Sequence, residues 1–360
     1  MAYLREVFTK KQIKWAIVSF AFLLAALIIT GLSVRKVNTL TDQNISKRWS
    51  DDNDFTSVSV FISELANIRE RDVQGYYYGI KNKLTEESLI NDDDAGRKLI
   101  QAYSAVGELQ IVSHTGSVKV TSLGVGGDFF LFHPVKLVDG NYFSGDEIMK
   151  DKVILDKNAA FALFGSYDIV GQMVEIGGIR HIVAGVVEEE TGHLQKLSGM
   201  SESMAYVSYE TLCNYGTDRP IDTYEVLLPN PVGSYGKKAV EEVVTIDEFK
   251  REIVENAGRF KFYKLLMKVP SFAERSMNTK GVIYPYWENV ARGVEGYLMM
   301  AAVVGTLFYL VPIVYLIYIV SRMWRMRTIH IKDIKQLIEN LIDAHRRREY
   351  FKEDENEENN

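Results

Sequence analysis

The sequence predicts an α+β domain held outside a membrane between two transmembrane helices. Two apolar runs without any charge, at residues 15–34 and 296–321, bracket most of the 360 residues. Between them, short alternating apolar segments and glycine turns are interspersed with helical patterns. This mixture of short strands and helices is typical of the α+β class.

Both apolar runs are long enough to cross a membrane, which takes about 20 apolar residues. The first run follows a basic flank that ends at Lys14, as the apolar core of a signal peptide does. It is longer than the roughly 7–15 residues of that core, and no A-x-A cleavage site follows it. We therefore expect an uncleaved membrane anchor.

Basic residues near the ends of the runs predict the orientation. They precede the first run at Arg5, Lys10, Lys11 and Lys14 and follow the second at Arg322, Arg325, Arg327, Lys332 and Lys335. Both termini are thus expected in the cytoplasm. The predicted organisation is a cytoplasmic N-terminus (1–14), a first transmembrane helix (15–34), an extracytoplasmic domain (35–295), a second transmembrane helix (296–321) and a cytoplasmic amphipathic helix with an acidic tail (322–360).

The composition of the outer segment excludes some functions. Of the 42 basic and 48 acidic side chains, residues 35–295 carry 29 and 38, a net charge of −9. This balance argues against a surface that binds nucleic acid. Cys213 is the only cysteine, so neither an internal disulfide nor a thiolate metal cage can form. An exported domain without disulfides favours the plasma membrane of a Gram-positive bacterium.

Catalytic and metal-binding patterns are missing from the sequence. No Gly-x-Ser-x-Gly motif occurs, and no two histidines stand at a metal-ligand spacing. We therefore expect no enzyme activity, no cofactor and no metal site. The six histidines are interpreted as core or surface residues: His114, His133, His181, His193, His330 and His345.

Local patterns predict the elements of the outer domain. Alternation predicts a strand over residues 55–62, and helical patterns predict helices over 70–84, 98–106 and 240–256. His114-Thr115-Gly116-Ser117 lies between two short apolar segments, which indicates a hairpin.

The most informative stretch is residues 152–188. A short buried strand at 153–155 precedes a helix at 157–164, and Gly165 stands at the C-cap position. Gly177-Gly178 separates two further strands, 172–176 and 179–187, which predicts a tight hairpin because both turn positions need positive φ.

This order of elements resembles the MacB-type periplasmic core domain of a mechanical class of ABC transporter permeases. The resemblance lies in a motif-bearing lobe at about 110–230. It is carried by Leu137-Val138-Asp139-Gly140-Asn141-Tyr142-Phe143 with Asp146 and Glu147, Leu163-Phe164-Gly165, Asp168-Ile169-Val170-Gly171, Gly177-Gly178 and Val183-Ala184-Gly185-Val186. The glycines permit turns and the apolar residues fill a core, so these positions identify a fold and carry no chemistry.

The resemblance implies a permease-like subunit that couples a cytoplasmic ATPase to the outer domain by mechanotransmission. The chain departs from the family in having one helix after the domain where such permeases have three. It also lacks the Gly-x-x-x-x-Gly-Lys-Ser/Thr motif of an ATPase. The implied partners are therefore membrane lipid, a separate ABC ATPase and a further permease subunit, in an oligomer without nucleic acid.

An apolar stripe at helical spacing follows the second run. The resemblance implies that it docks the ATPase through Ile331, Ile334, Leu337 and Leu341. Two other interpretations remain open: a helix lying in the inner leaflet and a self-associating helix. For the whole chain, the alternative is a membrane-anchored extracellular binding, signalling or scaffold protein without a transport role, such as a cell-envelope regulator.

Overall fold

The computed structural model describes residues 9–50, 54–91, 98–145, 147–190, 192–198, 203–272, 282 and 284–357. The chain divides into two compact units, residues 34–300 and residues 1–33 with 301–360. The helices are α1 (Lys10–Asn38), α2 (Ile45–Trp49), α3 (Glu70–Glu86), α4 (Phe129–Phe132), α5 (Lys157–Phe164), α6 (His193–Leu197), α7 (Tyr209–Tyr215), α8 (Tyr235–Val243), α9 (Phe262–Lys268) and α10 (Tyr286–Glu357).

The unit 34–300 is organised around a ten-stranded mixed sheet. Its strands are β1 (Phe55–Ile62), β2 (Ile100–Val112), β3 (Ser117–Gly127), β4 (Leu137–Gly140), β5 (Lys152–Asp156), β6 (Met173–Ile176), β7 (Ile179–Val187), β8 (Met204–Ser208), β9 (Thr223–Pro229) and β10 (Arg251–Glu255). The order is β10-β1-β9-β2-β3-β8-β5-β7-β4, and β6 pairs with β2 and β7. Only the pairs β3–β8 and β5–β7 are parallel among the described strands. The predicted α+β class is confirmed.

Both faces of the sheet are covered. On one face, α3, α5, α7 and α8 pack against residues such as Val58, Val60 and Tyr224. The other face holds an aromatic core that includes Phe129, Phe132, Tyr206 and Trp287. As a consequence, both sides of strand β1 are buried: Ser57 and Ser59 on one side, and Val58 and Val60 on the other.

Most of the local predictions for the outer domain are confirmed. Strand β1, helix α3 and the β2–β3 hairpin lie where the patterns place them. Gly165 ends α5 in the left-handed region at φ +68°. Gly177 and Gly178 connect β6 and β7 with φ values of +58° and +84°.

Two helix predictions are wrong. Residues 98–106 were predicted as a helix, yet β2 begins at Ile100 and lies between β3 and β9 in the sheet. Pairing on both sides outweighs a weak helical preference. The helix predicted over 240–256 ends at Val243, and β10 then pairs with β1. This pairing satisfies backbone groups that β1 would otherwise expose.

The other unit consists of two apolar helical segments that contact each other. The rings of Phe22 and Phe308 lie 5.2 Å apart, edge to face. The hydroxyl of Tyr315 donates to the carbonyl of Gln12 at 2.9 Å, and the hydroxyls of Thr30 and Tyr309 lie 3.1 Å apart. By length and composition, α1 and the Tyr286–Arg325 part of α10 are two candidate membrane spans.

Candidate functional site

The beginning of α10 carries three charged residues on one face, directly before the second apolar run. Glu288, Arg292 and Glu295 follow each other at spacings of four and three residues, which places them one above the other on a helix. All three are buried. A buried charge needs a partner of opposite sign, so the residues facing this stripe decide what it does.

Arg259 is the central partner of the stripe. Its side chain is 2% exposed. Its Nη1 and Nη2 atoms donate to the two carboxylate oxygens of Glu288 at 2.7 and 2.9 Å. Nη2 also donates to Glu295 at 3.0 Å. The loop after β10 is thereby joined to the first three turns of α10.

Further charges complete the arrangement. Arg292 donates to Glu288 at 2.8 Å and to Glu252 of β10 at 2.6 Å. Its guanidinium lies 3.8 Å from the ring centroid of Tyr284. Lys268, at the end of α9, donates to the other oxygen of Glu295.

We call these six residues the joint cluster: Glu252, Arg259, Lys268, Glu288, Arg292 and Glu295. Three carboxylates face three cations, so the cluster is balanced in charge. Burial disfavours the charge on Arg259, but Glu288 and Glu295 outweigh that effect and raise its pKa. Removing one member of a buried pair costs about 3–5 kcal/mol, because the other charge stays buried without a partner.

A second cluster fixes the segment that follows α1. His133 is 2% exposed and lies between two carboxylates. Its Nδ1 atom is 3.1 Å from Asp42, and its Nε2 atom hydrogen-bonds to Glu225 of β9. The other oxygen of Glu225 accepts from Ser59 at 2.5 Å, and Asn256 donates to Ser59 at 2.9 Å. We call His133, Asp42 and Glu225 the histidine cluster.

The two clusters meet at the first turn of α10. The ring of Trp287, the residue before Glu288, lies 4.3 Å from the ring of His133. Burial alone would lower the pKa of His133, but Glu225 and Asp42 outweigh it and raise that pKa to about 9. The imidazolium therefore binds both carboxylates at neutral pH. Within the unit 34–300, the segments that adjoin the two apolar helices are thus held on one face of the sheet by buried charges.

In the described part of the chain, no group of three or more His, Cys, Asp or Glu side chains is placed to hold a metal ion. A cleft of about 670 Å³ lies beside the joint cluster, between the segment after α1 and the segment from β10 to α9. Its wall includes Lys47, Glu255, Asn256, Lys261 and Lys264.

The predicted ATPase-docking residues lie on α10, far along the chain from these clusters. The helical backbone continues through Ile331, Ile334, Leu337 and Leu341. The side chain of Leu341 is 62% exposed. The side chains of the other three lie outside those that the structure describes. The docking role stays a prediction.

The fold-motif residues lie at turns and packing contacts of the domain. Gly140 and Gly171 have φ values of +81° and +83°. Gly185 lies in β7, where a side chain would approach the carbonyl oxygens of Asp139 and Asn141 to 3.1 Å. Phe164 packs against the larger core. Of the motif residues, Asp146 lies outside the described residues.

Neither cluster is predicted by the sequence, although a signal for one is present. The spacing of Glu288, Arg292 and Glu295 places charges on one face just before an apolar run. Such a face is usually exposed, so the pattern alone did not indicate burial. Nothing in the local sequence indicates that His133 would meet Asp42 and Glu225, which are 91 and 92 residues away.

Comparison with protein families identifies the domain. The family model described as MacB-like periplasmic core domain matches residues 17–254. The matched region ends before Arg259, so most of the joint cluster lies beyond it. The chain is 39% identical over 74 residues to the macrolide export ATP-binding/permease protein MacB of Chromobacterium violaceum, which is 20% of this chain and 12% of that protein. It is 36% identical over 91 residues to MacB 2 of Aeromonas hydrophila, 25% of this chain and 14% of that protein.

Solved structures are similar at lower identity. The periplasmic region of MacB from Actinobacillus actinomycetemcomitans matches at 18% identity and a TM-score of 0.40, covering 62% of this chain and 94% of that one. The extracellular domain of the noncanonic ABC-type transporter YknZ from Gram-positive bacteria matches at 18% identity and a TM-score of 0.38, covering 55% and 99%.

Proposed function

Because the chain belongs to the MacB-like periplasmic core domain family, we propose that it is a permease-like subunit of an ABC transporter complex. A separate cytoplasmic ATPase would drive it by mechanotransmission, and the chain itself would have no enzyme activity. The proposal puts the protein in the plasma membrane of a Gram-positive bacterium, with both termini in the cytoplasm. The curated relatives are ATP-binding/permease proteins by name, of which this chain matches only a small part.

The joint cluster is the observation that carries this proposal. A helix can pull on a domain only if its end is fixed there. The first turns of α10 are fixed through Arg259, which is buried against Glu288 and Glu295. Breaking such buried pairs costs several kcal/mol, so the attachment resists a displacement of α10. From this attachment α10 runs on through the second apolar run to Glu357.

The first test asks whether an ATPase is a partner. The full chain, carrying an affinity tag, is purified from native membranes in mild detergent, and co-purified proteins are identified by mass spectrometry. We expect an ABC ATPase, and a further permease subunit with it. Recovery of neither would contradict the proposal and favour the alternative of a membrane-anchored binding or scaffold protein.

The second test places the docking surface. Leu337→Asp puts a charge into the predicted docking stripe and should abolish recovery of the ATPase. Gln336→Asp introduces the same charge one residue earlier, outside the stripe, and should leave recovery unchanged. Equal recovery with both variants would show that the stripe does not dock the ATPase.

A further inference from the structure

The segment from Lys261 to Phe272 combines exposed aromatic side chains with lysines. Helix α9 buries Leu265 but leaves Phe262, Tyr263 and Met267 exposed by 52%, 56% and 77%. Phe272, just after it, is 43% exposed. Single exposed apolar residues are ordinary on protein surfaces, but four within eleven residues form a patch that indicates a binding surface.

This patch is continuous with the beginning of the second apolar run. A side chain on Gly296, the first residue of that run, would lie 3.5 Å from the ring of Phe272. On the next turn, Tyr297 and Met300 are 61% and 59% exposed. A surface that adjoins a transmembrane run and displays aromatic residues is typical of the membrane interface, where these side chains accumulate.

The cleft beside the joint cluster supplies the polar part of the site. Lys47, Lys261 and Lys264 line it, and none of the three pairs with a carboxylate in the described part of the chain. The carboxylate of Glu255, also in the wall, accepts hydrogen bonds from Thr56 and Ser234 at 3.2 and 3.1 Å. Arg259 is neutralised by its glutamates. The three lysines outnumber the one carboxylate of Glu255, so the cleft is cationic and attracts an anion.

The wall also holds acceptors that are not in use. Gln43 and Asn256 are each 5% exposed. In the described part of the structure, Oε1 of Gln43 and Oδ1 of Asn256 have no hydrogen-bond partner. A buried oxygen of this kind is stabilised by a donor such as a hydroxyl or ammonium group.

From these features we infer that the cleft and the exposed face of α9 together bind a phospholipid with an anionic headgroup. The phosphate would lie among Lys47, Lys261 and Lys264. The headgroup hydroxyls would donate hydrogen bonds to the polar wall of the cleft, and the acyl chains would lie along Phe262 and Met267. Phosphatidylglycerol combines an anionic phosphate, hydroxyl donors and apolar acyl chains. A free anion or a protein surface does not offer this combination.

The test uses the full chain in detergent and needs no partner protein, so its outcome is independent of the ATPase test. Native mass spectrometry measures binding of dioleoyl phosphatidylglycerol and dioleoyl phosphatidylcholine. We expect preference for phosphatidylglycerol. Lys261→Gln with Lys264→Gln should weaken that binding by about 25-fold, since each lysine near an anionic headgroup contributes roughly a 5-fold effect. Lys237→Gln with Lys238→Gln, on α8, removes the same charge elsewhere and should change nothing.

A further arm separates a lipid from a soluble phosphate. Phe262→Ser with Met267→Ser should weaken phosphatidylglycerol binding, because the acyl chains lose apolar contacts. Glycerol 3-phosphate should compete only weakly. Equal affinity for the two lipids, equal effects of the two lysine pairs, or competition by glycerol 3-phosphate at the affinity of the lipid would each overturn the inference. The comparison of the two lipids on the unmodified chain tests the inference even if a variant fails to fold.

Discussion

Arg259 and Glu288 form a bidentate ion pair that is almost completely buried, with side chains 2% and 1% exposed. The two donor–acceptor distances are 2.7 and 2.9 Å. This fork geometry is specific to arginine, whose planar guanidinium matches a carboxylate. Because Glu288 lies in the first turn of α10, the pair fixes the point at which the domain continues into the helix.

Removing the charge of Arg259 should destabilise the domain strongly. The substitution Arg259→Met leaves Glu288 and Glu295 buried without their main partner. We expect the free energy of unfolding to fall by about 3–5 kcal/mol. Denaturant unfolding of the full chain in detergent, followed by circular dichroism, measures this.

The exposed pair Arg69–Asp218 provides the matched control. Its side chains are 38% and 65% exposed, so Arg69→Met should cost no more than about 1 kcal/mol. The double variant Arg259→Met with Glu288→Leu should recover part of the loss, because it removes the buried carboxylate as well. If Arg259→Met were no more harmful than Arg69→Met, the joint cluster would have no structural role.

The sequence predicted those parts of the fold whose signals are local. The Gly177-Gly178 turn and the cap at Gly165 require positive φ, which short motifs reveal. Strand β2 was predicted as a helix over 98–106 because its place in the sheet depends on distant partners, β3 and β9. Similarly, the residues of β10 were predicted as part of the helix over 240–256, because their pairing with β1 is not visible in the local sequence.

The candidate site could not be predicted for the same reason. Ser57 and Ser59 alternate with valines in β1, a pattern that normally indicates a solvent-facing side. In the structure both serines are buried, and Ser59 hydrogen-bonds Glu225. Sequence spacing shows which residues share a face, but it does not show what covers that face. Buried charges are therefore the least predictable part of this domain.

Two glycines of the fold motif should differ in their tolerance of substitution. Gly140 and Gly171 both have φ near +80°, so an alanine at either position costs about 1–2 kcal/mol. At Gly140 the new Cβ would also lie 2.2 Å from the carbonyl oxygen of Ala184, whereas Gly171 faces open space. We expect Gly140→Ala to lower the midpoint of thermal unfolding more than Gly171→Ala. Equal shifts would mean that the backbone at Gly140 moves away without cost.

The histidine cluster predicts a stability change at alkaline pH. The pKa of His133 is raised to about 9, above the unfolded value of about 6.5. A group whose pKa is raised on folding contributes its full stabilisation below the unfolded pKa and loses it as pH rises through the folded pKa. The free energy of unfolding should therefore fall between about pH 6.5 and 9. The carboxyl groups around the imidazole are Asp42, Glu225 and Glu190.

Other carboxyl groups with raised pKa titrate at lower pH, so their effect on stability can be separated from that of His133. Burial raises the pKa of Asp156 and Asp222 to about 6 and that of Glu190 to about 7. Their effects on stability are complete by about pH 8, and the tyrosines whose pKa is raised by burial lower stability only as pH approaches their unfolded pKa of about 10, so the change between pH 8 and 9 reports mainly on His133. Thermal unfolding of His133→Gln should be flat in this range. A decline of the same size in the variant would assign the effect to other groups.

If α10 transmits force, the state of the ATPase should be detectable at the joint cluster. In the co-purified complex, a non-hydrolysable ATP analogue should change hydrogen exchange of the amides in residues 252–268, while residues 152–164 serve as an internal reference. Arg259→Lys keeps the positive charge but loses the fork to Glu288. This variant should retain the ATPase and lose most of the nucleotide-dependent change, because the proposed docking stripe and the joint cluster lie on different parts of α10. If hydrogen exchange at residues 252–268 were the same with and without the ATP analogue, coupling through this helix would be contradicted.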